Sequence, residues 1–212
     1  MKCRGANLRK KIVENYEVIP VLHTVLLNGQ KKYSDAEAII KNEYYIFKVI
    51  DKNNNEVKII QCGMGAARDF LKYLNHPGLP IFNPIKSENI DLKQKSNKKI
   101  INNSSDEWNS TAKQLYNAIM WIIILWNSKP ETVIFKFKDD IIKYRKYKPF
   151  DFIILRVNNL LKKDRSGKTL TEKINSLKAK NKIKKDICDF SLLNKEIERI
   201  KNETGKEIKS YF

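Results

Sequence analysis

Glu56-Val57-Lys58 places a carboxylate and an ammonium two positions apart, the spacing that brings both to one face of an extended strand. A second carboxylate beside such a pair could hold Mg²⁺ while the lysine positions an attacking water, which is the chemistry of a metal-dependent nuclease. Asp51 is the nearest acid that could complete the set, and it would have to do so across a short turn. Strand alternation supplies a simpler account, with Glu56 and Lys58 on the solvent face and Val57 and Ile59 buried.

A few residues on, the stretch VKIIQCGMGAARDFL runs from a strand-like segment through Gly63 and Gly65 into a helix-like one. Two glycines at a strand-to-helix turn let an anion approach free backbone N–H groups, and Arg68 could reach the same point. A dinucleotide fold would need a third glycine where Arg68 stands, and a parallel βαβ context where the pattern shows a local hairpin. The expectation is therefore a contact with a backbone phosphate, not a nucleotide pocket.

Other chemistry fails on spacing. Cys3, Cys62 and Cys188 are far apart, His23 and His76 are the only histidines, and no Cys-x-x-Cys occurs, so no zinc site is predicted. Ser166-Gly167-Lys168-Thr169 resembles the end of a phosphate loop, but Lys162 stands where the leading glycine belongs. No cofactor or metal is called for by any of these residues.

The remaining signal is basic. Lys136, Lys138, Lys143, Arg145, Lys146 and Lys148 surround Tyr144 and Tyr147, a mixture that suits phosphate contact with base stacking. Further on, Lys178, Lys182 and Lys185 would share one face if that segment were helical. Both clusters, with Arg68, are the predicted nucleic-acid contacts. Tyr144 also completes an apolar stripe with Val133, Phe137 and Ile141, which assigns it to a core.

The elements that must position these residues read as an α+β chain. An Asn28-Gly29 turn between residues 21–27 and 30–33 predicts a hairpin, and Ser34 with Glu37 predicts a capped helix to about residue 42. A second hairpin, residues 44–50 and 56–61, leads to a helix over 65–74 that His76-Pro77-Gly78 stops. The first region thus reads ββαββα, and the basic residues ahead of it read as a flexible arm. Residues 86–105, rich in Lys, Asn and Ser, read as a linker between a domain over 1–85 and a helical domain over 106–212. In the latter, Trp108, Ala112, Leu115, Ile119, Ile122 and Trp126 mark a central buried helix. Others follow after Pro130 and over 150–163. A further helix is capped by Thr169 and Glu172, and a last one is striped by Leu193, Ile197 and Ile200 and ends before Gly205.

Composition bounds the rest. A formal charge of +18, from 42 basic against 24 acidic residues, favours polyanionic partners. Only seven of those bases are arginine, and abundant Lys, Asn and Ile are what an AT-rich genome would encode, so part of the excess is compositional. Three unpaired cysteines point to a reducing, cytoplasmic setting. The longest apolar run, residues 118–126, falls well short of the ~20 residues that span a bilayer. The sequence reading is a basic, cytoplasmic nucleic-acid-binding protein that contacts the phosphate backbone. Its alternatives are a Mg²⁺-dependent nuclease on Asp51, Glu56 and Lys58, or a non-catalytic adaptor whose helical half docks a protein partner. Salt separates the first from the last, because phosphate binding weakens steeply with ionic strength.

Overall fold

The computed structural model describes residues 1–86 and 107–212, and the expected linker over 86–105 lies, Lys86 apart, outside the described residues. The fold is α+β, with a small antiparallel sheet in the N-terminal part and helices in the C-terminal part. The chain divides into two compact units, Met1–Pro84 and Ile85–Phe212.

The first unit opens with helix α1 (Ala6–Asn15), where the sequence reading had a flexible basic arm. Tertiary contacts order it. Ile12 is buried, and the Arg9 side chain donates to Asp69 and to the Cys3 carbonyl. Strand β1 (Tyr16–Val25) follows directly, and two short strands, β2 (Lys32–Tyr33) and β3 (Ile39–Ile40), form their own hairpin. Then come β4 (Glu43–Asp51), β5 (Val57–Gly63) and helix α2 (Met64–Tyr73). The main sheet has the order β1-β4-β5, antiparallel throughout.

Two local expectations are corrected here. Asn28-Gly29 does form a turn, with the Gln30 N–H donating to the Leu27 carbonyl at 3.0 Å and Gly29 at φ 90°, but the strands it joins are not partners. Strand β1 pairs instead with β4, because Tyr44, Tyr45, Ile46, Phe47 and Val49 supply a run of buried side chains that Lys31-Lys32-Tyr33 cannot match. The capped helix after Ser34 is also absent. The Ser34 hydroxyl accepts from the Ala36 N–H at 3.0 Å, and Glu37, at φ 62°, sits in the turn of the β2–β3 hairpin. Ser and Asp offer the backbone a turn as readily as a helix cap, and cross-strand pairing chose the turn. The second hairpin forms as expected, as β4 and β5 around residues 51–56. One face of the sheet packs on the helices, where Val18, Tyr45, Phe47, Val49, Ile60, Cys62, Ala67 and Phe70 make a single apolar cluster.

The second unit is built on α3 (Ser110–Leu125), buried from Thr111 to Ile124 except at Lys113 and Tyr116. Asn109 caps it, its side-chain oxygen accepting from the Thr111 and Ala112 N–H groups. Around it lie α4 (Val133–Lys143), α5 (Asp151–Lys162), α6 (Leu170–Leu177) and α7 (Ser191–Thr204). The Thr169–Glu172 capping box is present, and α7 ends at Gly205 in the left-handed conformation at φ 65°. A buried polar residue on α3 also starts α7. The Gln114 side-chain oxygen accepts from the Leu192 N–H at 2.9 Å and the Leu193 N–H at 3.4 Å, supplying a cap that α7 lacks at its own N-cap position, Phe190.

Helix α4 keeps Phe137 and Ile141 of the expected stripe in the core, but not the two ends of that stripe. Ile134, Phe135, Phe137, Lys138 and Ile141 are buried, whereas Val133 and Tyr144 are exposed. The segment holding Lys178, Lys182 and Lys185 is not a helix. Lys178 ends α6, Ile183 bridges Ile85, and a single turn of 3₁₀ helix (Asp186–Cys188) follows.

Candidate nucleic-acid interface

The stretch Lys143-Tyr144-Arg145-Lys146-Tyr147-Lys148 joins α4 to α5 and carries four cations and no acid. Its course is set from both sides. The Asn109 N–H at the mouth of α3 donates to the Arg145 carbonyl at 2.8 Å, and the Lys148 ammonium meets Glu196 of α7 at 2.7 Å. Burial pushes the Glu196 carboxyl up, but the hydrogen bonds from Lys148 and Arg199 outweigh it and hold that carboxyl below its usual range. Arg199 also bonds Asp151, in the first turn of α5, and Glu203. Lys148, Glu196, Arg199 and Asp151 therefore clamp the start of α5 onto the middle of α7.

On this clamped base the aromatic side chains point to solvent. Tyr147 is 71% exposed, Phe150 69%, and Tyr144 and Phe152 52% each. Four such side chains within nine residues form an exposed apolar surface of the kind that marks binding sites. The Phe150 and Phe152 rings lie nearly parallel, 16° apart in plane with centroids at 5.8 Å. The Arg156 guanidinium sits 5.3 Å from the Phe152 centroid, and the Lys143 ammonium 5.1 Å from that of Tyr144. A shallow groove of about 650 Å³ opens beside them, lined by Lys148, Pro149, Phe150, Asp151, Phe152 and Arg199.

No family model, curated protein or solved structure matches the chain. Its chemistry must be read from its own geometry.

Of the residues singled out in the sequence, Lys143, Arg145 and Lys146 come together in this stretch, and Lys136 stands on the outer face of α4 two turns before Lys143. That outer face also carries Asp139 and Asp140, so its charge is mixed. Lys138 is corrected to a core position. It is 5% exposed, ion-paired with Asp139 at 3.0 Å and poised over the Phe135 ring. The second cluster stands apart from the first. The indole of Trp121 donates to the Ile187 carbonyl at 3.1 Å, which fixes the 178–188 segment near the far half of α3. Arg145 is tied to Asn109, twelve positions earlier on that helix, so the two attachment points lie about 18 Å apart along its axis. Lys178, Lys182 and Lys185 are each exposed, in a segment separate from the first cluster.

In the first unit, Arg68 is exposed on α2, and its neighbour Asp69 is held by Arg9. Strand β5 leads into α2 without a loop, Gly63 standing at the N-cap, and both Gly63 and Gly65 have open space where a side chain would project. The antiparallel β4–β5 pairing before that turn is not the dinucleotide arrangement. Glu56 and Lys58 bond each other at 3.0 Å, and this contact raises the Lys58 pKa. Asp51 accepts from the Asn53 N–H at 2.9 Å within the hairpin turn. Among the described residues, no group of three or more His, Cys, Asp or Glu is arranged to hold a metal ion.

Sequence reasoning missed Phe150, Phe152 and Arg156. The signal was present: the α5 stripe of Ile153, Ile154, Val157 and Leu161 leaves both phenylalanines off the buried face.

Proposed function

We propose that this chain is a nucleic-acid-binding protein that contacts the phosphate backbone through the α4–α5 connection. The observation that carries the reading is the juxtaposition of Lys143, Arg145, Lys146 and Lys148 with four solvent-exposed aromatic rings in one connection. A cationic segment with no acid of its own gains affinity by releasing counterions from phosphate, and the aromatic rings give it a surface suited to bases. Lys148 is partly spent on Glu196, and Arg145 is half-buried with its guanidinium on the Ile142 carbonyl, which leaves Lys143 and Lys146 as the main phosphate contacts.

The test is a salt series by fluorescence anisotropy with a labelled oligonucleotide, on the wild type and on Lys143→Glu/Lys146→Glu. Affinity should fall steeply with salt, and the double variant should flatten that dependence by about two counterions. An unchanged slope and affinity in the variant would remove this segment from the interface.

A further inference from the structure

Resting on that reading, we infer that the aromatic side chains of the α4–α5 connection stack on unpaired bases, so that the protein prefers single-stranded over duplex nucleic acid. Phe150 and Tyr147 are the most exposed aromatic residues of the connection, whose Pro149 is buried and whose course the Asp151–Arg199 and Lys148–Glu196 pairs hold fast. Rings so placed meet water on a rigid support, and a flat π-face is their natural complement.

The geometry also sets how a base would sit. Inserting one between Phe150 and Phe152 would require ring planes about 6.8 Å apart, twice the ~3.4 Å stacking distance of bases. The observed centroid separation of 5.8 Å is too small for that. The base therefore lies on the free face of Phe150, with Phe152 backing that ring from the other side. Tyr147, separated from Phe150 by only two residues, is available to a neighbouring base. Duplex DNA or RNA keeps its π-faces inside the stack and can offer this surface only its phosphates. An acidic protein could answer the charge but offers few flat rings, so the aromatic content selects nucleic acid as the occupant.

The experiment compares a 12-nucleotide single strand with the blunt duplex of the same sequence, at one ionic strength, on the full chain. Wild type should bind the single strand at least tenfold more tightly. Phe150→Ala should lose about tenfold on the single strand and little on the duplex, Phe150→Trp should retain the preference, and thermal melts should match wild type because the ring is exposed. A single strand carrying 5-iodouracil should crosslink to Phe150 or Tyr147. Equal affinity for both forms, unchanged in Phe150→Ala while Lys143→Glu/Lys146→Glu still weakens binding, would overturn the stacking and leave the phosphate reading intact. No salt-sensitive binding of either form would overturn both.

Discussion

Arg9 on α1 places two N–H groups on one carboxylate oxygen of Asp69 on α2, Nε at 2.9 Å and Nη2 at 2.6 Å, while its Nη1 reaches the Cys3 carbonyl at 2.9 Å. The next residue toward the N-terminus, Arg68, faces solvent. One of two arginines at this helix is thus a structural clasp, and the other is available to a partner.

Arg9→Ala should destabilise the first unit by about 1.5–3 kcal/mol, the range for hydrogen bonds to a charged group. Arg68→Ala should stay within about 0.5 kcal/mol of wild type, as surface changes do. Denaturant unfolding of both variants, with hydrogen exchange over residues 6–15, separates the two roles. Equal stability losses would contradict the assignment.

Acid should loosen the second unit through Asp164. Its carboxyl pairs with the Lys173 ammonium at 2.6 Å and accepts from the Ser166 N–H at 2.8 Å, and Lys173 first, then Ser166, hold its pKa well below the ordinary carboxylate value. The unfolded chain then takes up this proton at a higher pH than the folded one. The stabilisation is complete above the unfolded value of about 3.9 and is lost as pH falls from there through the lower folded value. Asp164→Asn should lower stability at pH 7 and flatten the acid limb of stability against pH. An acid limb identical to wild type would rule the pair out as its cause.

The thiols should be slow. Burial, with help from Asp35, pushes the Cys3 thiol up to about 11, burial raises Cys62 further, and burial also raises the half-exposed Cys188. Since the thiolate is the reactive form, an aromatic disulfide reagent at pH 7.5 should label Cys188 first and reach Cys3 and Cys62 only on unfolding. Prompt labelling of Cys62 in the native protein would show that the sheet opens more readily than its packing implies.

Glu56 and Lys58 should behave as an exposed ion pair. Glu56→Gln is expected to change stability by under about 1 kcal/mol and to leave nucleic-acid affinity unaltered, and Mg²⁺ should not promote strand cleavage by the wild type. Mg²⁺-dependent nicking that disappears in Glu56→Gln would make Asp51, Glu56 and Lys58 the active centre instead.

Legibility followed the range of the interaction that decides each element. Helix α3 was readable because its apolar residues are dense enough to demand burial whatever surrounds them. The caps at Thr169 and Gly205 and the β4–β5 hairpin rest on contacts between close neighbours in sequence, and these too were written in the chain. Other features depend on partners far away. The order of α1 comes from Asp69, sixty residues on, and the start of α7 comes from Gln114. Strand β1 passes over its neighbour in sequence to pair with β4, since burial of a long apolar strand outweighs a local turn signal.

The candidate interface divides the same way. The sequence by itself determined that cations and aromatics crowd residues 143–152, because composition needs no fold. Only the tertiary structure decided which of them meet solvent. The packing of α4 buries Lys138, Tyr144 leaves the helix at its C-cap and meets solvent, and the clamp of Asp151 and Lys148 onto α7 turns Phe150 and Phe152 outward. How wide the buried face of a helix is, and where along the helix it ends, is set by the facing helices.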